Sequence, residues 1–258
     1  MEITVATFNL RNFTARDGEN AWAARVPQVA EMMRRTGAAV IGTQEGYEEM
    51  LTELAGALPQ LRWVGMGRRG DRQDEFCAVF YRPDLVALDE VGHFWLSETP
   101  DVPGSSSWAS SLPRMCTWVR LELAGRPLLL YNTHLDHLSA EAREQGIRLI
   151  CHRIGERRFP AGPPALLLGD LNAGLDSGVV RFLRQESGLV DAYSALPGGG
   201  PIGATFHGFH GGEAGGPIDY IFGTGDLTFR ATAIRRERID GRYPSDHYPV
   251  VTTVQLPD

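Results

Sequence analysis

Polar side chains follow several apolar segments that the sequence predicts as strands, and their types suit hydrolysis of a phosphate ester. Asp170 and Asn172 come just after the apolar run 165–168. Residues i and i+2 of an extended backbone point to the same side, so both side chains can reach one phosphate. Strand ends are where α/β proteins usually place their chemistry. Similar polar strand ends occur at Phe8-Asn9, Gln44-Glu45, Thr133-His134-Leu135-Asp136, Ile218-Asp219-Tyr220 and Ser245-Asp246-His247.

These residue types predict a cation site beside a phosphate site. Mg²⁺ is a hard ion that takes oxygen ligands, usually one or two carboxylates with water and substrate phosphate. Glu45, Asp246 and the amide oxygen of Asn9 are suitable ligands for Mg²⁺, with Mn²⁺ as a possible substitute. Asp170 is a carboxylate that can accept a proton from an attacking water. The donors suited to stabilising charge on the phosphate oxygens are Asn172 and His134.

The elements that must position these side chains are short strands, a few helices and many Gly/Pro turns. This mixture predicts an α/β (α+β) protein whose strands pack against helices and against other strands. Apolar residues at helical spacing predict an amphipathic helix over 21–36, and further helices are predicted over 48–58, 140–156 and 179–186. Strands are predicted over 3–8, 40–43, 77–81, 117–123, 128–133, 165–168, 218–222 and 250–256.

The division of the chain into domains is also predicted from the sequence. The glycine-rich segments 198–201 and 211–217 are too short to be linkers between domains, and no repeat is present. We therefore expect a single domain over residues 1–258.

The charged residues exclude some chemistries. The net charge is −7, and all 25 basic residues are arginine. Without lysine, neither a Schiff base nor a P-loop lysine can form. An acidic balance also argues against tight non-specific binding of duplex DNA, which needs many contacts between basic residues and phosphates. Arginines cluster locally at 68/69/72, 157/158 and 235/236/238, and we interpret these clusters as solvated surface.

Cysteine usage and the absence of long apolar runs predict the compartment. Cys77, Cys116 and Cys151 are odd in number and show no CxxC spacing, as expected of reduced thiols in a cytosolic protein. Residues 1–5 alternate like a strand and do not resemble a signal peptide. No apolar run reaches the ~18 residues that a membrane span requires. We therefore expect a cytoplasmic protein with no membrane span and no obligate protein partner.

Taken together, the segments resemble the motifs of the endonuclease/exonuclease/phosphatase superfamily, which includes DNase I, exonuclease III-type repair enzymes, inositol polyphosphate phosphatases and neutral sphingomyelinases. The motifs TFNLRN, GTQE, FWLSETP, NTHLD, GDLN, IDYIF and SDHYP occur in the family order between Thr7 and Pro249. The segment 94–108 is most similar to an uncharacterised bacterial branch. This resemblance implies a four-layer α/β/β/α sandwich of the DNase I type, with the active site at one edge.

The resemblance also implies roles for the acidic residues. Glu45 matches the principal metal-ligand glutamate, and Asn9 the asparagine beside it that contacts metal or phosphate. Asp246 matches a metal-linked aspartate. Asp170 resembles the carboxylate that activates the attacking water. Whether one or two metal ions act is left open.

Further roles follow from the resemblance for the phosphate-binding groups. Asn172 matches the amide that binds phosphate, and His134 a group that donates to it. His247 resembles the histidine that stabilises the developing charge, oriented by Asp219, because such pairing fixes the imidazole tautomer. Arg114 resembles, less closely, a family arginine near the phosphate.

Two residues in predicted loops are additional candidates for substrate contact. Trp108 lies in the serine-rich loop after residue 104 and has the side chain to line a pocket for a sugar or a base. His207 lies in a loop that is near the site in the family pattern, where it either touches substrate or has a structural role.

The sequence argues against three other kinds of site. The run 65–70 matches GxGxxG, but no helical apolar pattern follows it, which excludes a dinucleotide site. The pairs His134/His137 and His207/His210 have zinc-like spacing, but carboxylates and amides dominate the site, whereas zinc prefers N and S ligands. No GxSxG elbow is present, which argues against a serine hydrolase.

The sequence thus predicts a Mg²⁺-dependent phosphoesterase that cleaves a P–O bond with water activated by Asp170. The substrate is a phosphodiester or phosphomonoester, either a small molecule or a nucleic acid. A DNA endo- or exonuclease of the repair type is the alternative enzyme. A non-catalytic module that binds phosphate or metal is the third hypothesis.

Overall fold

The computed structural model describes residues 1–198 and 201–257, within which two six-stranded sheets are flanked by helices. The helices are α1 (Trp22–Arg35), α2 (Glu48–Ala57), α3 (Ala140–Arg158) and α4 (Gly178–Gln185), with short 3₁₀ turns at Gly18–Asn20 and Ala192–Ala195. The strands are β1 (Glu2–Asn9), β2 (Val40–Gly46), β3 (Arg62–Val64), β4 (Phe76–Tyr81), β5 (Ala87–Trp95), β6 (Met115–Leu123), β7 (Arg126–His134), β8 (Ala165–Asp170), β9 (Leu189–Asp191), β10 (Asp219–Thr224), β11 (Thr228–Ile234) and β12 (Val250–Gln255).

Both sheets are mixed. The first has the strand order β11-β12-β1-β2-β4-β3, and the second β5-β6-β7-β8-β10-β9. Each contains one parallel pair, β1 with β2 and β7 with β8, and the other neighbours are antiparallel. The sheets pack face to face with helices outside, which confirms the predicted four-layer sandwich.

The alternation of side chains along β1 shows how the layers are built. Val5 belongs to the apolar cluster that contains Leu130 and Leu168 of the second sheet. Phe8, three positions further along β1, belongs instead to a cluster with residues of α1 and α2. Because successive side chains of a strand point to opposite faces, one strand contributes to two layers of the core.

The topology brings the polar strand ends to one edge of the sandwich. Asn9 pairs with Gln44 in the parallel β1–β2 ladder, and His134 pairs with Asp170 in the parallel β7–β8 ladder. Parallel strands end on the same side, so these residues emerge together. Asp219 begins β10 opposite Asp170, and the segment 245–249 leads into β12 beside β1. One edge therefore gathers all the predicted strand-end residues.

All the predicted helices and strands are present, with shifts of a few residues at their ends. The strands β3, β5, β9 and β11 were not predicted. Part of the glycine-rich loop predicted over 198–201 lies outside the described residues. Cys77 and Cys116 are buried, Cys151 is half-buried, and all three are free thiols. None of the helices in the described ranges combines the length and apolar character needed to cross a membrane.

Gly169 is a position where the fold excludes any side chain. Its φ is 148°, and a Cβ built there would lie 1.9 Å from the Thr133 carbonyl oxygen on the neighbouring strand. We expect Gly169→Ala to push β7 and β8 apart and to lower the free energy of unfolding by at least the ~1–3 kcal/mol typical of overpacking. Urea denaturation measures the change.

Gly155 in α3 is the matched control, because a Cβ at this position meets no atom within 4 Å. Gly155→Ala should raise the free energy of unfolding by about 0.4–1 kcal/mol through a smaller loss of chain entropy. If both variants unfold at the same urea concentration as the wild type, the clash at Gly169 is not real.

Candidate active site

Asp170 lies at the centre of the gathered strand ends and is 1% exposed. Its Oδ2 accepts a hydrogen bond from Asn9 Nδ2 at 3.0 Å, and its Oδ1 accepts one from the Asn172 backbone N–H at 2.9 Å. Burial, together with the nearby Asp219 carboxylate, raises the pKa of Asp170 to about 7. A carboxylate with this pKa can hold or release a proton near neutral pH, as a general base must.

Glu45 faces Asp170 across the amide of Asn9. Asn9 Nδ2 donates to Glu45 Oε1 at 3.0 Å as well as to Asp170. The backbone N–H and the side chain of Asn12 donate to Glu45 Oε2 at 3.0 and 2.9 Å. Asn9 Oδ1 accepts from the Arg11 backbone N–H at 3.0 Å. Asn9 therefore links the two carboxylates through its nitrogen, and its oxygen is used within the loop.

Asp246 is the second predicted metal-ligand carboxylate at this edge. It is 4% exposed, and the Arg11 guanidinium lies 3.6 Å from its Oδ2. Burial and the negative charge of Glu45 raise the pKa of Asp246, against the opposing effect of His247. The buried Asp246 and the half-buried Glu45 repel each other, and this repulsion favours a cation between them.

His247 and Asp219 form a buried hydrogen-bonded pair. His247 Nδ1 lies 2.9 Å from Asp219 Oδ2, and its Nε2 lies 3.8 Å from Asp170 Oδ2. Burial opposes the imidazolium charge, but Asp219 and Asp170 outweigh it and raise the pKa of His247 to about 10. His247 is thus positively charged at neutral pH and can donate from Nε2.

Asn172 and His134 bond to each other. Asn172 Nδ2 lies 3.0 Å from His134 Nε2 and donates to the Leu135 carbonyl at 3.0 Å. Burial, reinforced by Arg114, holds the pKa of His134 well below its usual range, so the ring is neutral and its Nε2 accepts. Both side chains line the cavity described below. A phosphate bound there would replace one of these hydrogen bonds with a hydrogen bond to itself.

The donor set fits a hard divalent cation. The oxygens of Glu45 and Asp246 match the preference of Mg²⁺ for carboxylates. Asp219 Oδ1 is buried and has no hydrogen-bond partner among residues 1–198 and 201–257. Asp170, Asp219 and His247 also offer ligand atoms within 4.8 Å of one another. Because a positively charged His247 cannot ligate a metal ion, Glu45 and Asp246 are the better-suited pair among the described residues.

A cavity of about 380 Å³ opens over these groups. Arg114 lines it and is buried, with Nη2 3.0 Å from His137 Nδ1 and Nε 3.8 Å from Asp136 Oδ2. Phe206 stands half-exposed at the same cavity, with its ring 5.1 Å from that of His247. The remaining lining residues include Asn12, Leu112 and Ile218.

Trp108 and His207 lie outside this cavity wall. Trp108 lines a separate depression against α3, together with Arg148 and Arg153. His207 stacks on Tyr248, with ring centroids 3.9 Å apart, and its backbone N–H donates to the Asp246 carbonyl at 2.8 Å. The structure therefore does not bring these two side chains together with the strand-end residues, and His207 supports the Asp246 loop.

Sequence reasoning missed several polar residues of the cavity. Arg68 was assigned to a surface cluster, yet it is 9% exposed and pairs with Asp74 at 3.0 Å and Glu75 at 2.7 Å. Burial raises the pKa of Glu75 to about 7, although Arg68 opposes this. Arg11 and Asn12 also line the cavity. Their place within the TFNLRN motif, beside Asn9, was the only available signal.

Three residues of the site have a strained backbone. Arg11, Glu45 and Asn172 have φ values of 56°, 61° and 46°, in the left-handed region that non-glycine residues rarely adopt. Glu45 lies where the β2–β4 register shifts between Thr43 and Gly46. A bulge of this kind redirects a side chain. The conformation costs about 1–3 kcal/mol per residue and is typical of functional sites.

Comparisons with known proteins agree with this architecture. The family model described as endonuclease/exonuclease/phosphatase family matches residues 6–247. A family protein from Bacteroides thetaiotaomicron is 31% identical over 98% of this chain and 95% of that one, with a TM-score of 0.93. A mannosyl-6-phosphatase from the same organism is 31% identical over 98% of this chain and 100% of that one, with a TM-score of 0.92.

A more distant structure extends the likeness in fold. TDP2 from D. rerio, complexed with a single-strand DNA product, is 16% identical over 99% of both chains, with a TM-score of 0.78. This likeness concerns the fold alone. Comparison with curated proteins gave no match. The family match across nearly the whole chain, on a sandwich whose strand ends gather the family's motifs, shows that this chain belongs to the endonuclease/exonuclease/phosphatase family.

Proposed function

We propose that this protein is a Mg²⁺-dependent hydrolase of phosphate esters, with Mn²⁺ as an alternative ion. The observation that carries the proposal is the hydrogen-bonded array of Glu45, Asn9 and Asp170, which places a buried base beside a carboxylate suited to a cation. A merely structural role is a poor explanation for Asp246, because burial and the negative charge of Glu45 both disfavour its charged form and a bound cation would offset them.

Glu45 and Asp246 would hold the cation, and Asn9 would keep Glu45 and Asp170 in register through its two N–H bonds. When bound, the cation would supply positive charge to offset the charge developing on the phosphate oxygens. Asn9 was predicted as a ligand through its oxygen. Because that oxygen accepts from Arg11 N–H, we now propose that Asn9 acts by positioning the carboxylates.

The reaction itself would use the buried strand-end groups. Asp170 would accept the proton of an attacking water as the oxygen of that water bonds to phosphorus and the bond to the leaving group breaks. The charged His247, oriented by Asp219, would donate from Nε2 to a phosphate oxygen. Asn172 and Arg114 would donate to the other phosphate oxygens. His134 would donate as well in the neutral tautomer that carries its proton on Nε2, with the Asn172 amide turned to the phosphate.

We propose a small phosphate ester, such as a sugar phosphate, as the substrate. The cavity of about 380 Å³ is of the size that typically holds small molecules. The similarity to a mannosyl-6-phosphatase supports a sugar phosphate. Phe206 offers an aromatic face on which a sugar could pack.

A DNA nuclease is the second candidate, and the charges near the cavity argue against it. Its three arginines each lie within 4 Å of a carboxylate: Arg11 beside Asp17, Arg68 beside Glu75 and Arg114 beside Asp136. Binding of nucleic acid relies on basic side chains that neutralise phosphates. Here local carboxylates already offset these three charges.

We also propose a reducing compartment, the cytoplasm, for this protein. The three free cysteines support this location, because thiols stay reduced there.

A panel of phosphate esters tests the function. Purified protein with Mg²⁺ or Mn²⁺ is assayed on mannose 6-phosphate and other sugar phosphates, phospholipid head groups, abasic duplex DNA and single-stranded DNA. Release of phosphate from sugar phosphates is expected. Cleavage of DNA alone would favour the nuclease, and hydrolysis of none of the esters would favour the non-catalytic module.

Glu45→Gln is expected to weaken Mg²⁺ binding by more than the ~10–100-fold that loss of an outer partner costs, because it removes a ligand charge. Isothermal titration calorimetry with Mg²⁺ alone measures the Kd. Glu49→Gln, an exposed change in the following helix, is the control and should bind as the wild type does. Equal affinities for all three proteins would remove Glu45 from the cation site.

A further inference from the structure

Arg25 is a buried charge that the proposed chemistry does not use. It lies in the first turns of α1 and is 1% exposed, the largest of the fully buried side chains in the described residues. Arginine is almost never buried to this extent unless its charge and its N–H groups have partners. The partners of Arg25 therefore indicate why an arginine occupies this position.

In each hydrogen bond of the Arg25 guanidinium within the described residues, the acceptor is a backbone carbonyl. Nη1 donates to the carbonyls of Leu10, at 3.1 Å, and Pro244. Nη2 donates to the carbonyl of Arg11 at 3.1 Å, and Nε to that of Asn20 at 2.6 Å. Four of its five N–H bonds thus join three separate loops in one plane.

Two of these loops contact or carry the residues of the proposed cation site: the one after β1 bonds to Glu45, and the other carries Asp246. Leu10 and Arg11 directly follow Asn9, which bonds to Glu45. Pro244 comes two residues before Asp246, and Ser245 Oγ donates to the Asn9 carbonyl at 2.7 Å. Arg25 also lies 5.2 Å from the ring of Phe209, in the loop whose His207 supports Asp246.

We propose that Arg25 is a positioning residue that sets the spacing between the β1 exit loop and the Asp246 loop, and thereby the spacing of Glu45 and Asp246. This inference rests on the proposed function. A lysine cannot replace it, because an ammonium group offers three donors from one point, whereas the planar guanidinium reaches carbonyls on several sides. Removing the guanidinium would leave buried carbonyls without donors.

The test compares Mg²⁺ binding with stability in Arg25→Lys. Calorimetric titration with Mg²⁺ alone gives the Kd, and thermal unfolding without metal gives the Tm. We expect the Kd to rise about 10- to 100-fold, as when groups that orient a metal ligand are lost. We expect kcat on the best substrate of the panel to fall as well, even at saturating Mg²⁺.

Met33→Ala is the matched control, because Met33 is buried on the same helix, eight residues after Arg25, and offers no N–H group to the loops. Truncating it should lower the Tm while leaving the Kd for Mg²⁺ as in the wild type. If Arg25→Lys binds Mg²⁺ like the wild type, the inference is overturned. It is also overturned if Met33→Ala weakens Mg²⁺ binding equally, since general loss of stability would then explain the effect.

Ser245→Ala provides a second route if Arg25→Lys does not fold. It removes the direct side-chain bond between the same two loops, together with the bond from Ser245 Oγ to Asp246 Oδ1 at 3.2 Å, and it should raise the Kd for Mg²⁺. An unchanged Kd would show that the spacing of these loops does not set the cation site. Wild-type protein that binds neither Mg²⁺ nor Mn²⁺ would overturn the proposed function and this inference together. Normal binding by the wild type and both variants overturns the inference alone.

Discussion

Asp170→Asn is expected to lower kcat by about 10²–10⁴-fold, the range for loss of a general base. The substitution keeps the size and shape of the side chain but removes its ability to accept a proton. The backbone N–H of Asn172 can still bond to the amide oxygen in place of Oδ1, whereas the new NH2 group cannot accept from Asn9 Nδ2 as Oδ2 does. Because Glu45 keeps its own hydrogen bonds from Asn9 and Asn12, we expect the fold and the Mg²⁺ affinity to be kept. Steady-state kinetics on the best substrate of the panel, with calorimetry for Mg²⁺, measures both.

Asp176→Asn is the control for this variant. Asp176 is exposed in the loop between β8 and α4, a few residues after Asp170, and its replacement should leave kcat unchanged. If Asp170→Asn turns over at the wild-type rate, another group activates the water and the proposed mechanism is wrong. If it loses Mg²⁺ as well as turnover, Asp170 acts as a ligand instead.

His247→Ala is expected to lower kcat by about 10²–10³-fold, as does loss of one donor to a developing oxyanion. Asp219→Ala should lower kcat too, because Asp219 keeps the buried His247 charged and oriented. Since Asp219 acts through His247, the double variant should be little worse than His247→Ala alone. Steady-state kinetics of the wild type, the two single variants and the double variant gives the four kcat values that this comparison needs.

His152→Ala, an exposed change on α3, is the control and should retain wild-type turnover. If the fold-decrease in kcat of the double variant equals the product of the two single decreases, Asp219 and His247 act independently. This result would contradict the proposed pairing.

The core strands and the amphipathic helix were predictable because their burial is regular. In β8 every residue from Ala165 to Asp170 is buried, and the apolar run in the sequence matches this continuous burial. In β5, by contrast, most residues of Ala87–Trp95 are at least partly exposed, so no alternation or apolar run marks it. Edge strands of this kind are formed by pairing with a neighbour, and local sequence carries little signal for them.

That the polar residues meet at one edge was predictable from their positions at strand ends. Their hydrogen bonds were not predictable. No pattern shows that the amide nitrogen of Asn9, rather than its oxygen, faces Glu45, because this depends on the Arg11 backbone. Arg25 bonds to Pro244, 219 positions away, and so its burial depends on tertiary structure. Trp108 was placed at the substrate by its loop context, and the left-handed backbone at that residue is not encoded in a local motif.

The left-handed backbone at Arg11, Glu45 and Asn172 has a consequence for engineering this protein. Glycine adopts such dihedrals without a steric cost, so glycine at these positions would relieve backbone strain, but at Glu45 it would also leave the N–H groups of Asn9 and Asn12 without their acceptor. Directed evolution that selects for heat resistance alone would weigh these two effects against each other and would not protect turnover. Libraries built on this scaffold should be selected for turnover in every round. Otherwise the codons of Arg11, Glu45 and Asn172 should be held fixed.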